Sequence, residues 1–405
     1  MSTKKIIIIS GTVIGILAIG AGIFFAWQKS QQTQSELLTA VTPGITAATP
    51  SITGAGTTPS VKPSTGVISV LSKNQALDYW LTVADSTSTS AAKTIFYISS
   101  NGNIHSINGD KELLVNNFQG GDIQSVRASS DGKFVLIKSG SLPNPRFDIL
   151  DNVKNVWQPT LSGVYAADWS LTGEKLAYLQ SNAANKNFDL YIKDLSIGGT
   201  AASTSTKLTA ANRSKNSPQK IISLNQADFD LKWAQTNDVF LTPMPSMDYF
   251  SEIWDVNLSA KTVSRLTSGN SLIVNWLKFS NLGLKFTSNN GRNYSLSLID
   301  NNDNIKGSFK FNTLPDKCLF NSAIQIYCAI PRDQNIFSNF SFPDDYYKKN
   351  IYSKDGIYVV DLTNNRIQAL FEKGNPVIDA VDLSLFGNQL LFINRYDSKL
   401  YSLGL

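Results

Sequence analysis

The chain has 405 residues, of which 42% are hydrophobic and 17% charged, so it can bury a substantial core and global disorder is excluded. Its net charge of +5 is spread thinly, and the lack of a dense Lys or Arg run argues against nucleic-acid binding. His105 is the single histidine, so any His-based triad would depend on that residue, and a metal site with several His ligands is excluded.

The N-terminus has the pattern of a membrane anchor. Lys4 and Lys5 precede an uncharged stretch at 6–27, long enough for the ~20 residues that cross a bilayer. The alternative is a cleaved signal peptide, although the apolar run exceeds the usual ~7–15 residues. Paired lysines favour a cytoplasmic start. We therefore expect a cytoplasmic segment at 1–5, a transmembrane signal-anchor helix at 6–28, and a single-pass cell-membrane protein with the remainder outside the cytoplasm.

The segment at 29–66 differs sharply in composition from the chain on either side of it. It consists mainly of Thr, Ser, Pro, Ala and Gly, with few large apolar groups. Such a segment buries too little surface to offset the entropy lost on ordering. We therefore expect a disordered stalk that links the anchor to a folded domain at 67–405.

Short strands recur throughout the predicted domain at 67–405. In the clearest unit, "WSLTGEKLAYLQ" follows the end of a first strand at Trp169, and "FDLYIKDL" supplies a third strand. A turn that often contains Gly joins the first strand to an apolar second strand, and several units add a fourth. The units recur every ~40–65 residues, the range of propeller blades with insertions. This pattern predicts an all-β fold: a seven-bladed β-propeller of four-stranded antiparallel blades.

The same repeats resemble a known family. The residues "WSLTGEKLAYL", "FDLYIKDL" and "KLT" look like the WD40-like repeat of the TolB-type propeller, which reads W-S-x-D-G-x-x-[IL]-A-[FY], then L-[YW]-x-x-D-[LV], then x-x-L-T. The resemblance spans about 77–405, and an anchor and stalk stand where TolB has an α/β domain. The chain looks closer to the membrane-anchored bacterial branch. The resemblance implies a propeller with a binding role and transfers no catalytic residue.

The last repeat stops at its third strand, "KLYSLGL", where the chain ends. A blade that lacked its outer strand would expose unpaired backbone groups. The segment "GVISVLS" precedes the first unit and has no partner strand of its own. We therefore predict that residues 67–72 complete the last blade and close the ring.

The two cysteines, Cys318 and Cys328, flank a predicted hairpin turn near Ala323. This spacing places them opposite each other, with Cα atoms ~4.5 Å apart, at the short end of the range for a disulfide. A disulfide is expected outside the cytoplasm, and a pair of buried free thiols is the alternative. A redox or metal role is disfavoured because neither a CxxC spacing nor a His cluster is present.

Three long loops are predicted on one face, where a propeller places its second-to-third-strand and blade-to-blade connections. They carry aromatic, Met, Arg and charged side chains, the residue types that dominate binding hot spots. The alternative is that the aromatic side chains only pack the loops onto the blades. The candidate residues of this binding face are Arg213, Lys215, Lys220, Met247, Tyr249, Phe250, Phe340, Asp344, Asp345, Tyr346 and Tyr347.

These features favour a monomeric, non-catalytic binding or scaffold module for a protein, a peptide or an envelope glycan. The fold alone is a weak guide to function, and no catalytic, cofactor-binding or metal-binding residue is assigned. The alternative is an enzyme, a lyase or hydrolase of envelope glycans, that uses acidic residues at the propeller channel. It predicts carboxylates with raised pKa values at that channel. A third hypothesis is a purely structural envelope protein.

Overall fold

The computed structural model describes residues 66–82, 94–141, 144–158, 161–195, 217–278, 280–289, 293–364 and 366–405. The predicted anchor at 6–28 lies outside the described residues, as does the predicted stalk up to residue 65. Within the described ranges, no helix is both long and apolar enough to cross a membrane. The α-helices there are single turns of four residues, far below the ~20 that a bilayer requires. The predicted localisation as a single-pass membrane protein is therefore corrected.

The described residues form six antiparallel sheets, numbered here in chain order. Sheet 1 contains β2 (Asp78–Thr82), β3 (Thr94–Ile98), β4 (Asn103–Asn108) and β5 (Lys111–Asn117). Sheet 2 contains β6 (Ile123–Ala128), β7 (Phe134–Ser139), β8 (Arg146–Asp151) and β9 (Val156–Trp157). Sheet 3 contains β10 (Val164–Trp169), β11 (Lys175–Asn182), β12 (Asn187–Asp194) and β13 (Gln219–Leu224).

Sheet 4 is larger than the others, with seven strands in sequence order. It contains β14 (Phe229–Lys232), β15 (Asp238–Pro243), β16 (Phe250–Asn257), β17 (Thr262–Trp276), β18 (Leu282–Asn289), β19 (Asn293–Asp300) and β20 (Ile305–Ser308). Sheet 5 contains β21 (Cys318–Ser322), β22 (Gln325–Pro331), β23 (Asp355–Asp361) and β24 (Arg366–Phe371). Sheet 6 contains β25 (Ala380–Phe386), β26 (Gln389–Asn394), β27 (Lys399–Gly404) and, at its outer edge, β1 (Ile68–Val70).

Glycine turns join the first and second strands of sheets 2 and 3. Gly132 and Gly173 both have positive φ, a conformation that glycine adopts without steric penalty. A Cβ atom at Gly132 would lie 2.1 Å from the carbonyl oxygen of Leu81 in sheet 1. A Cβ atom at Gly173 would lie 3.0 Å from the side chain of Ser129, beside sheet 2. These turns therefore need glycine both for their backbone conformation and for close packing on the preceding sheet.

Buried apolar clusters join each sheet to the next. Residues that share such a cluster include Tyr97 and Leu391, Ile98 and Val135, Leu136 and Tyr178, Leu190 and Leu231, Leu284 and Ile326, and Ile357 and Phe392. The first of these pairs packs sheet 6 against sheet 1. First strands also contact one another, as β6 contacts β2 and β10. The sheets therefore form the closed ring of a β-propeller, with their first strands at its centre.

The N-terminal strand β1 completes sheet 6. Ile68 lies opposite Leu403, and Val70 lies opposite Tyr401, in an antiparallel ladder. Beyond this strand, the hydroxyl of Ser72 accepts a hydrogen bond of 3.0 Å from the backbone N–H of Leu400. The two ends of the described chain thus share one sheet, and the outer edge of β27 is covered.

The disulfide prediction is confirmed. Cys318 and Cys328 lie directly opposite each other on β21 and β22, with Cα atoms 4.2 Å apart, and their sulfur atoms are bonded. Cys318 is the first residue of β21. Both cysteines are buried in the cluster between sheets 4 and 5. The bond therefore links two neighbouring strands of one sheet.

Removing this disulfide should have a modest effect. The bond closes a loop with a sequence separation of 10, so the double substitution C318A/C328A should lower the free energy of unfolding by about 2–3 kcal/mol. Urea unfolding of the variant and the wild type, each with and without reductant, measures the difference. Reductant should lower the midpoint of the wild type alone. Equal midpoints for the wild type in both conditions would show that the bond contributes nothing.

Candidate functional site

Two of the predicted loops meet at one end of the ring. One is the loop at 244–249 between β15 and β16, and the other is the insertion at 332–354 between β22 and β23, which holds α1 (Ile336–Asn339) and α2 (Asp344–Tyr347). The Asp344 carboxylate accepts hydrogen bonds from the backbone N–H of Met247 at 2.8 Å and from the hydroxyl of Ser246 at 3.3 Å. These bonds hold the shorter loop against α2. We call the surface formed by the two segments the loop face.

The large apolar side chains of the loop face divide into two groups. Phe337, Phe342 and Tyr346 are buried, and they pack the insertion onto sheets 4 and 5. The exposed side chains are Met244 (85% exposed), Tyr249 (71%), Phe250 (63%), Phe340 (45%) and Tyr347 (42%). The two interpretations of these aromatic residues therefore apply to different members of the set. The buried group fixes the backbone that presents the exposed group.

The two acidic candidates of α2 stabilise the loop face from within. Asp344 anchors the loop at 244–249, as described above. Asp345 accepts hydrogen bonds from the backbone N–H of Ser341 at 2.9 Å and from the side-chain amide of Asn350 at 3.1 Å. The hydrogen bond from Ser341 is the main cause that lowers the pKa of Asp345. Both carboxylates therefore accept hydrogen bonds from local donors, and they hold the insertion in shape.

Of the remaining candidates, the structure describes only Lys220. Arg213 and Lys215 lie outside the described residues. Lys220 lies on β13, where its ammonium group is 2.8 Å from the buried carboxylate of Asp189. The segment between β12 and β13 joins the third and fourth strands of sheet 3. Connections between third and fourth strands lie at the opposite end of an antiparallel sheet from connections between second and third strands. The end of β12 and the start of β13, where Lys220 lies, are therefore at the opposite end of the ring from the loop face. The prediction that Lys220 belongs to that face is corrected.

A buried ionic network ties α2 to sheet 6. The ammonium group of Lys317 lies 2.7 Å from carboxylate oxygens of both Asp355 and Asp379. Asp379 also accepts hydrogen bonds of 2.7 Å from the hydroxyl of Tyr346 and from the guanidinium of Arg395. Burial alone would lower the pKa of Lys317, but the two carboxylates and Tyr346 outweigh it and hold that pKa above its ordinary value. The network is therefore charged and internally compensated.

Sequence reasoning missed this network. Lys317 and Asp379 are separated by 62 positions, and nothing in the local pattern around either residue marks it as buried. Lysine is almost never fully buried unless it is paired. The one available signal is the position of Lys317 next to Cys318, at the start of a strand that the pattern already placed in the core.

The side chain of Arg127 links several strands at the ring centre. The guanidinium of Arg127, on β6, donates hydrogen bonds of 3.0 Å to the carbonyl of Ala167 and 2.9 Å to the carbonyl of Leu231. It also forms an ion pair with Asp230 and lies 3.6 Å from a carboxylate oxygen of Asp168. One side chain thus connects the first strands of sheets 2, 3 and 4.

Carboxyl groups with raised pKa values also lie at the ring centre. Enclosure by protein, and then the negative charge of Asp382, raise the pKa of Asp78 well above its ordinary value. Asp382 itself remains accessible to solvent, but the surrounding protein, and then the negative charge of Asp316, raise its pKa to about 6. In the part of the chain that the structure describes, no cluster of His, Cys, Asp and Glu could hold a metal ion.

The raised pKa of Asp382 predicts a pH-dependent effect on stability. Above about pH 6, the ionised Asp382 carboxylate lowers the stability of the folded state. This loss of stability disappears below the pKa of an Asp in the unfolded chain, ~3.9. The variant D382N should therefore melt at a higher temperature than the wild type at pH 8 and at the same temperature at pH 3.5. Melting curves at both pH values test this. D300N is the control of opposite sign, because hydrogen bonding by Lys306 lowers the pKa of Asp300.

D300N should melt below the wild type at pH 8, because Asp300 stabilises the folded state above its unfolded pKa. That deficit should shrink as the pH falls below about 4, because Asp300 of the unfolded chain then becomes protonated before that of the folded chain. If D382N also melted below the wild type at pH 8, the Asp382 carboxylate would be stabilising, and the assignment of a raised pKa would be wrong.

Comparisons with known proteins are consistent with the fold and go no further. No family model matches the sequence, so the TolB-type resemblance is not supported at the level of family. No curated protein matches it either.

Three solved structures resemble this chain at low identity. The tricorn protease is 13% identical, with a TM-score of 0.46 over 85% of this chain and 34% of the protease. A virginiamycin B lyase from Staphylococcus aureus is 13% identical, with a TM-score of 0.47 over 84% of this chain and 99% of the lyase. The β-propeller domain of the trilobed protease from Pyrococcus furiosus is 10% identical, with a TM-score of 0.40 over 68% of this chain and 77% of that chain. The strand pairing and the buried clusters thus define the class, a β-propeller.

Proposed function

We propose that this β-propeller has seven blades and acts as a non-catalytic binding module for a protein or peptide. This number of blades treats sheet 4 as two blades. Strand β17 pairs with β16 through Thr262–Asn270 and with β18 through Asn270–Trp276, so its two halves serve as an outer and an inner strand. Buried Phe240 and Leu272 share a cluster that packs these two halves of sheet 4 against each other.

The exposed apolar side chains of the loop face carry the functional proposal. Met244 and Tyr249 lie on the loop that Asp344 anchors, and Phe250 begins β16 directly after it. Each of the three side chains is more than half exposed. Exposed aromatic and Met side chains of this kind supply hot spots in protein interfaces. Because the loop is already held in place, binding would lose less conformational entropy than on a free loop.

The test compares two apolar pairs of similar exposure. Y249A/F250A removes the aromatic pair of the loop face, whereas L113A/L114A removes an exposed apolar pair on the outer strand β5. Immobilised wild type and both variants would be exposed to extract of the source cells, and captured proteins quantified by mass spectrometry. We expect at least one protein captured by the wild type and by L113A/L114A, and reduced about tenfold by Y249A/F250A, as for loss of a hot spot.

A partner that is retained equally by Y249A/F250A would place binding elsewhere and contradict this use of the loop face. If no protein is captured above background, the protein-binding proposal fails. A glycan array with the same three proteins would then decide whether the loop face binds a glycan.

An enzyme that acts on glycans is the second candidate function. The observation that favours it is the raised pKa of Asp78 and of Asp382 at the ring centre, since carboxyl groups with raised pKa values suit general acid–base catalysis. Incubation with polysaccharides, followed by detection of new reducing ends or unsaturated products, tests it. A true activity should fall at least 10²-fold in D382N. The absence of any product would exclude this candidate for the glycans tested.

A further inference from the structure

A stacked pair of tyrosines lies near the insertion at 332–354. The rings of Tyr352 and Tyr396 have centroids 5.4 Å apart and an angle of 26° between their planes. Tyr352 belongs to the insertion and Tyr396 to the turn between β26 and β27, so the pair spans sheets 5 and 6. Both rings are exposed, by 39% and 43% respectively. Two rings already stacked present a rigid surface, with little entropy left to lose on binding.

Arg395 supports Tyr352, one ring of this pair. Its guanidinium carbon lies 4.9 Å from the ring centre of Tyr352 and 3.7 Å from that of Tyr346, so the guanidinium contacts both rings. It donates hydrogen bonds to Asp379 at 2.7 Å and to the carbonyl of Tyr346 at 2.6 Å. The charge of Arg395 is therefore already compensated by the buried network. Its role is to hold the rings rather than to bind a ligand charge.

Two exposed cations, Arg332 and Lys354, lie at the two ends of the insertion that carries Tyr352. Arg332 donates a backbone hydrogen bond of 2.9 Å to the carbonyl of Lys354, which is two residues beyond Tyr352. The Nε–H of Arg332 also donates a hydrogen bond of 3.4 Å to the same carbonyl, so the guanidinium lies against the backbone just beyond Tyr352. Among the described residues, no ion pair involves either Arg332 or Lys354. Unlike Arg395, these two cations are therefore available to a ligand.

We propose that Tyr352, Tyr396, Arg332 and Lys354 form a second contact site of the binding surface, which takes an acidic segment of a protein partner. Carboxylates of that segment would pair with the two cations, and its apolar groups would lie on the tyrosine rings. Complementary charge favours an acidic partner, because neither cation of the site forms an ion pair among the described residues. The inference rests on the proposed binding function and adds the chemistry of its partner.

Poly-L-glutamate, poly-L-lysine and polygalacturonate, each labelled with a fluorophore, serve as probes in titrations of the full chain by fluorescence anisotropy. We expect the wild type to bind poly-L-glutamate and not poly-L-lysine, and the affinity to fall as salt screens the charges. R332A/K354A and Y352A/Y396A should each weaken that binding at least fivefold. E372Q is a control of opposite sign, because Glu372 and Arg332 both act on the phenol of Tyr358. Removing this nearby negative charge should tighten binding.

Each alternative outcome has a separate meaning. Loss of binding in Y249A/F250A but not in R332A/K354A would overturn this site and leave the proposed function in place. Equal binding of polygalacturonate would replace the acidic protein segment by an anionic glycan and overturn the inference. Lack of binding to every probe would also overturn it. The capture experiment on the loop face is independent of these probes, so the two failures can be told apart.

Discussion

Substituting alanine for Lys317 should lower the free energy of unfolding by about 3–5 kcal/mol, the cost of removing one partner from a buried ionic network. Lys317 is 1% exposed, and its ammonium group compensates the carboxylates of Asp355 and Asp379. Without it, Arg395 would remain as the cation paired with Asp379, and Asp355 would be left without one. Chemical unfolding in urea measures the loss.

The control for this prediction is R265A. Arg265 forms an ion pair with Glu252 at 3.3 Å, but the side chain of Arg265 is 60% exposed and that of Glu252 is 32% exposed. Such a pair contributes at most ~1 kcal/mol. A second variant, K317M/D355N, removes the lysine together with one of its acidic partners, and it should recover part of the stability that K317A loses. If K317A costs no more than R265A, the network does not stabilise the fold in the way that its burial implies.

A chain that begins at residue 71 should be less stable than one that begins at residue 61. The shorter chain lacks β1, and with it the hydrogen-bonded ladder from Ile68 to Val70 that covers β27. At 0.5–1.5 kcal/mol for each hydrogen bond, plus the exposed surface of Ile68, we expect a loss of about 2–4 kcal/mol. The longer chain keeps the ladder, so it should unfold at the midpoint of the full chain.

The second readout of this truncation is self-association. An uncovered β27 presents unpaired N–H and C=O groups that can pair with another copy. Sedimentation velocity should therefore show dimers or larger species for the chain that begins at residue 71 and monomers for the chain that begins at residue 61. Equal stability and equal sedimentation of the two chains would mean that the ring closes without β1.

Much of the fold could be predicted because strand periodicity is local. The alternation in segments such as "KLAYLQ" and the Gly of each turn appear within a few residues of sequence. Strand β17 was not foreseen, since "SRLTSG" was expected to end a unit at Gly269. The backbone instead continues in one strand to Trp276, although Ser271 has a left-handed conformation. Continuity of pairing across such a residue depends on the neighbouring strands β16 and β18, and the local sequence does not record it.

The candidate site could be predicted only in part. The composition of the loops identified exposed groups such as Tyr249 and Phe250, because long loops rich in aromatic residues are visible in the sequence. It could not separate them from Phe342 or Tyr346, since burial of a loop residue depends on contacts across sheets. Tyr396 was missed because its stacking partner belongs to a different sheet.

The shared sheet of the two chain ends also has a consequence for synthesis. Ser72 and its hydrogen-bond partner Leu400 are 328 positions apart, so β1 leaves the ribosome long before the strand that it pairs with has been made. Earlier sheets can pack on their neighbours as they emerge, but the nascent protein remains an open arc with exposed strand edges. Pairings this distant in sequence also form slowly. The ring therefore cannot close before β27 has been made, and until then the strand edges of the arc remain open to pairing with other chains.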